Sequence, residues 1–184
     1  MLTINEHTSS SYGPRTFYNA NYAGLTMAIA ADFTTAGEKL THKAAKDKYL
    51  AIPIETQPIE AARKLYSAMK RRGTHTLNVA GNGIYTLAQH GWDQDEANDL
   101  LFSIINQVQE YWRIEEVVSG GQTGIDIAGI VAAHAIGINA IATLPKGFIQ
   151  RAEDKIDRQH SKEEIEQYVI DASKVVKKLI KEKQ

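Results

Sequence analysis

The sequence predicts an α/β fold of the three-layer sandwich type. A Rossmann-like parallel sheet of about five strands is expected between two layers of helices, with a further helix at the C-terminus. Two observations indicate this class. Short apolar runs alternate with segments of helical periodicity, and most of those runs end in polar or glycine-bearing loops, as the strands of open α/β sheets do. The 184 residues suit one domain with a sizeable core, so residues 1–184 are expected to form a single unit.

Strands are expected where the apolar runs are short. The clearest is LTMAIAADF, residues 25–33, because a nearly continuous apolar run is typical of a strand that is buried on both faces of a parallel sheet. The full set of predicted strands is residues 25–33, 49–54, 74–80, 115–119 and 139–144. Residues 1–14 are polar and end in a YGPR turn, so they are expected to be a flexible start.

Helices are expected at residues 39–46, 59–72, 93–112, after the glycine-rich loop that follows residue 119, and at 161–183. Asp93 with Glu96, and Ser161 with Glu164, have the spacing of N-terminal capping boxes, and Gly73 is placed to end the second helix. The last helix has an apolar stripe, which we expect to pack against its own domain rather than against a partner.

Composition excludes several functional classes. Lys and Arg total 21 against 22 for Asp and Glu, so the chain has no long-range field for a polyanion, and nucleic acid is not an expected partner. The absence of cysteine excludes disulfides, thiolate nucleophiles and cysteine-bound metals. No apolar run is long enough to cross a bilayer, and residues 1–11 lack the features of a secretory signal. A soluble, cytoplasmic protein is therefore expected, without a membrane partner.

The motif EEVVSGGQTGIDIAGI, residues 115–130, predicts a strand, a glycine-rich loop and a helix. Gly120 and Gly121 allow backbone conformations that other residues disfavour, and Thr123 can cap the helix that follows. The free N–H groups and the dipole of a helix N-terminus favour a phosphate group there. The alternative is a plain turn, because the motif is neither a dinucleotide-binding Gly-x-Gly-x-x-Gly sequence nor a Walker loop.

Together with Pro145-Lys146-Gly147 and residues 151–154, the segment SGGQTGID (residues 119–126) resembles the N-terminal half of the molybdenum cofactor carrier family. That family belongs to the SLOG superfamily of Rossmann-like folds, with the lonely-guy phosphoribohydrolases and the DNA-processing protein A. Upstream segments resemble its C-terminal half: Arg15-Thr16 with Asn19, and residues 25–32, 35–41 and 77–81. This reversed order implies a circularly permuted SLOG fold, and it predicts that strand 25–33 lies beside strand 115–119.

The resemblance implies a phosphate or diphosphate site made by two facing loops. Its residues are Gly120, Gly121, Gln122, Thr123 and Gly124 from one loop, and Thr34, Thr35 and Gly37 from the other. Arg15 and Lys146 are candidates to add positive charge, with surface solvation as the alternative. The other candidate ligand-binding residues are Asn19, Asn78, Gly81 and Asn82, and the asparagines have the alternative of bonding their own backbone as turn residues.

Two acidic residues are candidates for chemistry, although neither is assigned a catalytic role. Because Asp126 would repel a phosphate, we expect it to contact a ribose hydroxyl, an amino group or a cation. Lonely-guy enzymes place a glutamate after a glycine-rich turn; Thr41 holds that position here, and Glu38 stands where the turn has its threonine. Glu38 and Asp126 remain candidate general bases, also expected to line the ligand site. The six histidines lack metal-binding spacing, and no metal site is expected.

The expected function is to bind a phosphate-containing, nucleotide-derived small molecule, as a carrier or a sequestering protein. Ligand classes in view are a nucleotide, a cyclic nucleotide, an ADP-ribose-like signal and, from the family resemblance, the molybdenum cofactor. The alternative is a nucleotide-processing enzyme of the lonely-guy type, a phosphoribohydrolase or N-glycosidase. A perturbed pKa at Glu38 or Asp126, facing a glycosidic bond, would favour the enzyme. The superfamily also implies a homodimer or a higher homo-oligomer.

Overall fold

The computed structural model describes residues 1–181 and contains one central sheet with helices on both of its faces. In chain order the elements are β1 (Leu2–Glu6), α1 (Tyr12–Tyr22), β2 (Leu25–Ala30), α2 (Ala36–Ala45), a 3₁₀ turn (Lys46–Lys48), β3 (Tyr49–Pro53), α3 (Pro58–Arg72), β4 (Thr76–Gly81), α4 (Ile84–Gln89), α5 (Gln94–Gln109), β5 (Glu116–Ser119), α6 (Ile125–Ile136), β6 (Asn139–Leu144), β7 (Gln150–Arg151), β8 (Asp157–Arg158) and α7 (Lys162–Lys181). None of the helices within residues 1–181 has the length and apolarity needed to cross a bilayer.

The sheet has six parallel strands in the order β1-β6-β5-β4-β2-β3, and β7 and β8 form a separate antiparallel hairpin. Helices α3, α5, α6 and α7 pack against one another, while α1 packs against α2. This division follows from the right-handed crossovers between parallel strands. The connections through α1 and α2 run along the sheet in one direction, and those through α3, α5 and α6 run in the other, so the two groups of helices lie on opposite faces. The predicted α/β class with a Rossmann-like parallel sheet is confirmed, with six strands rather than about five.

Strand order reverses at β2. The chain runs from β2 out to β3, returns through α3 to β4 on the other side of β2, and then continues through β5 to β6. The predicted contact between strands 25–33 and 115–119 is therefore wrong, because β4 pairs with both of them, Met27 with Val79 and Leu77 with Val117. The circular permutation required this contact, and it is therefore not supported. The reversal lies between β2 and β4, where open α/β sheets bind ligands.

The start of the chain differs from the prediction of a flexible segment. Residues 2–6 form β1, an edge strand that pairs in parallel with β6, with Ile4 opposite Ala142. Helix α1 begins at Tyr12, so Pro14 lies in its first turn, where the missing N–H would have no helical acceptor in any case. The YGPR sequence therefore starts a helix rather than ending a loop.

The two predicted capping boxes are present at the starts of α5 and α7. Asp93 and Glu96 exchange side-chain to backbone hydrogen bonds of 2.8 and 2.9 Å, and Ser161 and Glu164 do the same at 3.1 and 2.7 Å. Helix α7 packs on α6 through buried apolar side chains, and the Ser173 hydroxyl donates to a carbonyl of α6 at 3.1 Å. Residues 182 and 183 of the predicted helix lie outside the described residues.

Candidate functional site

A cavity of about 480 Å³ opens at the carboxyl ends of β2 and β4, where the strand order reverses. Most of the ligand-site residues predicted from the sequence line it: Arg15, Asn19, Thr35, Gly37, Glu38, Asn78, Gly81, Asn82, Gly120, Gln122, Thr123 and Asp126. Thr34, Gly121, Gly124 and Lys146 do not line it. The two loops that the sequence identifies as facing each other do meet in one cavity, although they belong to strands that are not neighbours.

Arg15 lies on the floor of the cavity rather than at its rim. Its side chain is 5% exposed, and its guanidinium Nη1 donates to the carbonyl of Gly120. A Cβ on residue 120 would lie 2.7 Å from Arg15 Cζ and 2.3 Å from Asp126 Oδ2, so glycine is required for these two charged groups to approach the loop. Arg15 Nε has no hydrogen-bond partner within residues 1–181. Burial lowers the Arg15 pKa, and the nearby Asp126 carboxylate opposes that shift.

Asp126 lies close enough to this buried cation for the two charges to influence each other's pKa. Its carboxylate accepts hydrogen bonds from the backbone N–H groups of Gly81 and Gln122. Burial raises the Asp126 pKa to about 6, while the charge of Arg15 and the two N–H groups act in the opposite direction. A carboxylate of the protein thus occupies the N–H of Gln122, which the sequence analysis assigns to a phosphate.

Glu38 is the second acid in the cavity, and its side chain is 2% exposed. Burial and the negative charge of Asp126 raise its pKa to about 8, and a hydrogen bond from Tyr49 opposes this shift. Its Oε2 has no hydrogen-bond partner within residues 1–181. The raised pKa of Glu38 favours its protonated form, while Asp126 is the more readily ionised acid of the two, a difference on which acid–base catalysis commonly depends.

The glycine-rich loop after β5 has a structural role that its sequence does not reveal. The Gln122 side chain donates to the carbonyl of Ile149 at 2.7 Å and accepts from the N–H of Arg151 at 3.1 Å. Thr123 does not cap α6, because its hydroxyl donates to the carbonyl of Arg151 and the N-cap position belongs to Gly124. The loop therefore holds the β7–β8 hairpin in place.

Gly121 and Gly124 are glycines for conformational reasons rather than to admit a ligand. Their φ angles are +65° and +96°. A Cβ on residue 124 would lie 2.4 Å from the carbonyl oxygen of Asn82, and the Gly124 N–H donates to the Gln94 side chain at 2.6 Å. Gly124 is bridged to Gly83 and so joins the loops after β4 and β5, whereas a Cβ on residue 121 would lie 2.8 Å from Leu144 of β6.

The first turn of α2 is the freer set of donors. Thr35 caps this helix by accepting the N–H of Glu38 at 3.2 Å, as its sequence position suggests. The N–H groups of Ala36 and Gly37 have no helical acceptor, both residues line the cavity, and the space where a Cβ of residue 37 would stand is open. An anionic group can reach these N–H groups without displacing a side chain.

Of the remaining predicted residues, some form hydrogen bonds within the protein and some lie away from the cavity. Asn82 accepts the N–H groups of Ala31 and Asp32, each at 2.9 Å, so it ties the loop after β2 to β4 rather than bonding the backbone of its own turn. Asn78 donates to Thr26 at 3.2 Å and still borders the cavity. Thr34 donates to Asp32 at 2.7 Å, away from the cavity. Lys146 is exposed and also lies off it.

Residues that the sequence analysis does not assign to the site complete the cavity. Burial is the main cause that raises the pKa of Tyr49 to about 12, and the charge of Glu38 and a hydrogen bond with it act in the same direction. Tyr85 borders the cavity from α4, and Arg151 and Lys155 border it from the hairpin. The alternation of acidic and basic residues in 151–158 is the one sequence signal for that hairpin.

Within residues 1–181, no group of three or more histidine or acidic side chains is arranged to hold a metal ion. Comparisons of the chain with protein-family models, with curated proteins and with solved structures give no match.

Proposed function

We propose that the cavity at the reversal of strand order binds a small, phosphate-bearing nucleotide derivative. The observation that carries this proposal is the composition of the cavity wall, which combines the free N–H groups of Ala36 and Gly37 with the cations Arg151 and Lys155. A volume of about 480 Å³ is within the range of sites for small molecules. The resemblance to SLOG proteins favours the same ligand class. Such a protein would act as a carrier, with the molybdenum cofactor as one candidate cargo, or would sequester a nucleotide signal.

A second candidate function is cleavage of the ligand's glycosidic bond, and the pair of acids favours it. A protein that only stores a ligand has no need of two carboxyl groups with raised pKa values in one cavity, whereas glycoside hydrolysis uses such a pair. The raised pKa values meet one part of the condition under which the sequence favours an enzyme, the other part being that the acids face a glycosidic bond. Glu38 lies in the same segment as Thr41, which occupies the position of the lonely-guy glutamate, whereas Asp126 comes from the loop after β5.

The proposed reaction needs no group beyond water. Protonated Glu38 donates its proton to the ring nitrogen of the leaving base as the bond from that nitrogen to the anomeric carbon breaks. Ionised Asp126 stabilises the positive charge that develops on the sugar and accepts a proton from the attacking water. The new bond joins the water oxygen to the anomeric carbon, and the products are the free base and the sugar phosphate.

The test is mass spectrometry of the purified protein after incubation with nucleotides, cyclic nucleotides and ADP-ribose derivatives. For a binder we expect one class to be released intact when the protein is denatured. For an enzyme we expect a free base to accumulate together with the sugar phosphate. Recovery of no member of the panel, with no conversion, would contradict both candidates.

Variants separate the two candidates. If the protein cleaves its ligand, Glu38→Gln and Asp126→Asn should each lower the rate at least about a hundredfold, because each removes a proton transfer or a charge needed in the transition state. Asp171→Asn, at an exposed position on α7, is the matched control and should retain the rate. Unchanged turnover in Glu38→Gln would exclude the proposed acid.

A further inference from the structure

The hairpin formed by β7 and β8, residues 150–158, is an independent element fixed against the cavity. Gln150 donates to the carbonyl of Gly121 at 2.6 Å, in addition to the bonds that Gln122 and Thr123 make to residues 149 and 151. The Tyr12 hydroxyl, at the start of α1, donates to Asp157 at 3.1 Å. The hairpin is thus held by the loop after β5 and by α1, and its residues Arg151 and Lys155 form part of the cavity wall.

The two aspartates of the hairpin are paired with its two arginines. Arg151 Nε lies 2.8 Å from Asp157, and Arg158 Nη1 donates to Asp154 at 2.8 Å. These pairs close the hairpin on itself and neutralise its arginine charges. Arg151 therefore lines the cavity with its charge balanced, as Arg15 does through Asp126.

Lys155 is different from the other cations of the cavity. It stands at the hairpin tip with a positive φ of 66°, and its ammonium lies 3.9 Å from the centre of the Tyr85 ring. Within the described part of the chain it forms no ion pair with a carboxylate, although Asp154 and Asp157 are close in sequence. Its charge is thus held at the cavity by an aromatic ring alone.

From this arrangement we propose that Lys155 binds the phosphate of the ligand and makes the site select phosphorylated over unphosphorylated molecules. The inference rests on the proposed function, since it assigns a residue to one part of that ligand. An exposed contact between an ammonium and an aromatic ring is weaker than a charge-assisted hydrogen bond to phosphate. Lys155 therefore leaves the ring for the phosphate when the ligand binds, and the face of Tyr85 becomes free to stack on the base or the sugar.

Calorimetric titration with matched ligand pairs tests this assignment. The probes are the four common nucleoside 5′-monophosphates with their nucleosides, and ribose 5-phosphate with ribose. Lys155→Met should weaken binding of the phosphorylated member about tenfold and leave its unphosphorylated partner unchanged. Lys155→Arg should retain the preference for phosphate, and Lys43→Met, at an exposed position on α2, should change neither affinity.

The outcomes distinguish this inference from the proposed function. If the unaltered protein prefers phosphorylated ligands and Lys155→Met keeps that preference, the assignment of Lys155 is wrong, while the binding function stands and the amides of α2 become the phosphate site. An equal loss for both members of a pair also overturns the assignment, because it shows a structural role. If the unaltered protein binds none of these probes, the inference is wrong, and if it also binds no cyclic nucleotide or ADP-ribose derivative, the proposed function fails with it.

Discussion

Replacing Arg15 with methionine should lower the free energy of unfolding by about 2 kcal/mol at about pH 8, because it removes a buried hydrogen-bond donor and the positive charge that favours the ionised form of Asp126. Asp126 would retain only the backbone N–H groups of Gly81 and Gln122, and the carbonyl of Gly120 would lose its donor. The loss should be smaller at about pH 5, where Asp126, whose pKa is already raised to about 6, takes up a proton. Chemical denaturation at the two pH values measures both effects.

Two further variants make this prediction specific. The double variant Arg15→Met with Asp126→Asn should recover much of the loss at the higher pH, because neither charge is then left without its partner. Arg63→Met, at an exposed position on α3, should change stability by no more than about 0.5 kcal/mol. If Arg15→Met costs the same at both pH values, and the double variant does not recover stability, the two residues are not coupled as the geometry indicates.

The stability of the protein should fall as the pH rises from about 5 to about 8, and Glu38 should account for a decrease on the order of 3 kcal/mol. Because burial raises its pKa to about 8, folded Glu38 keeps its proton in this range, whereas the unfolded chain has already lost it. The folded state therefore binds more protons than the unfolded state. The stabilisation is fully present below the unfolded pKa and is lost as the pH passes the folded value.

Glu38→Gln isolates this contribution, because an amide has no proton to lose and any fixed cost of the substitution is independent of pH. His134, whose pKa is lowered mainly by burial, acts in the opposite direction but is common to both proteins. The aspartates with lowered pKa values titrate below this range. We therefore expect the unaltered protein to lose stability relative to the variant as the pH rises. Parallel stability curves would show that Glu38 is ionised in the fold.

Sequence patterns predict the central strands and long helices because those elements bury apolar side chains at regular spacing. Strand β2 is buried at every position, and its run of apolar residues is plain in the sequence. Strand β1 buries only Ile4, so its five residues give no such run. Helix α1 buries Arg15, Asn19 and Ala20, a mostly polar face that periodicity cannot detect. The order of the strands was also beyond the pattern, since it depends on which way each crossover runs.

The sequence indicates which loops form the candidate site, but it does not indicate which charged side chains meet there. Glu38 and Asp126 stand out in the sequence because each follows a polar or glycine-rich loop. Their sharing of one cavity depends on the placement of β4 between β2 and β5, which no local pattern encodes. Gln122 and Thr123 were expected to contact phosphate, yet their bonds go to the hairpin, a partner more than twenty-five residues away. Lys155 carries no motif at all, and only its position over Tyr85 identifies it.

Amide NMR of the labelled protein during titration with the nucleotide panel tests the central claim most directly, because it locates the ligand without assuming turnover. We expect the largest chemical-shift changes at the amides of Ala36 and Gly37, in the first turn of α2, and at those of Gly83 and of the hairpin. A second cavity, of about 300 Å³, lies beside Gln94, His160 and Tyr168. Shifts confined to that cavity, or no shifts with any member of the panel, would contradict the assignment of the site.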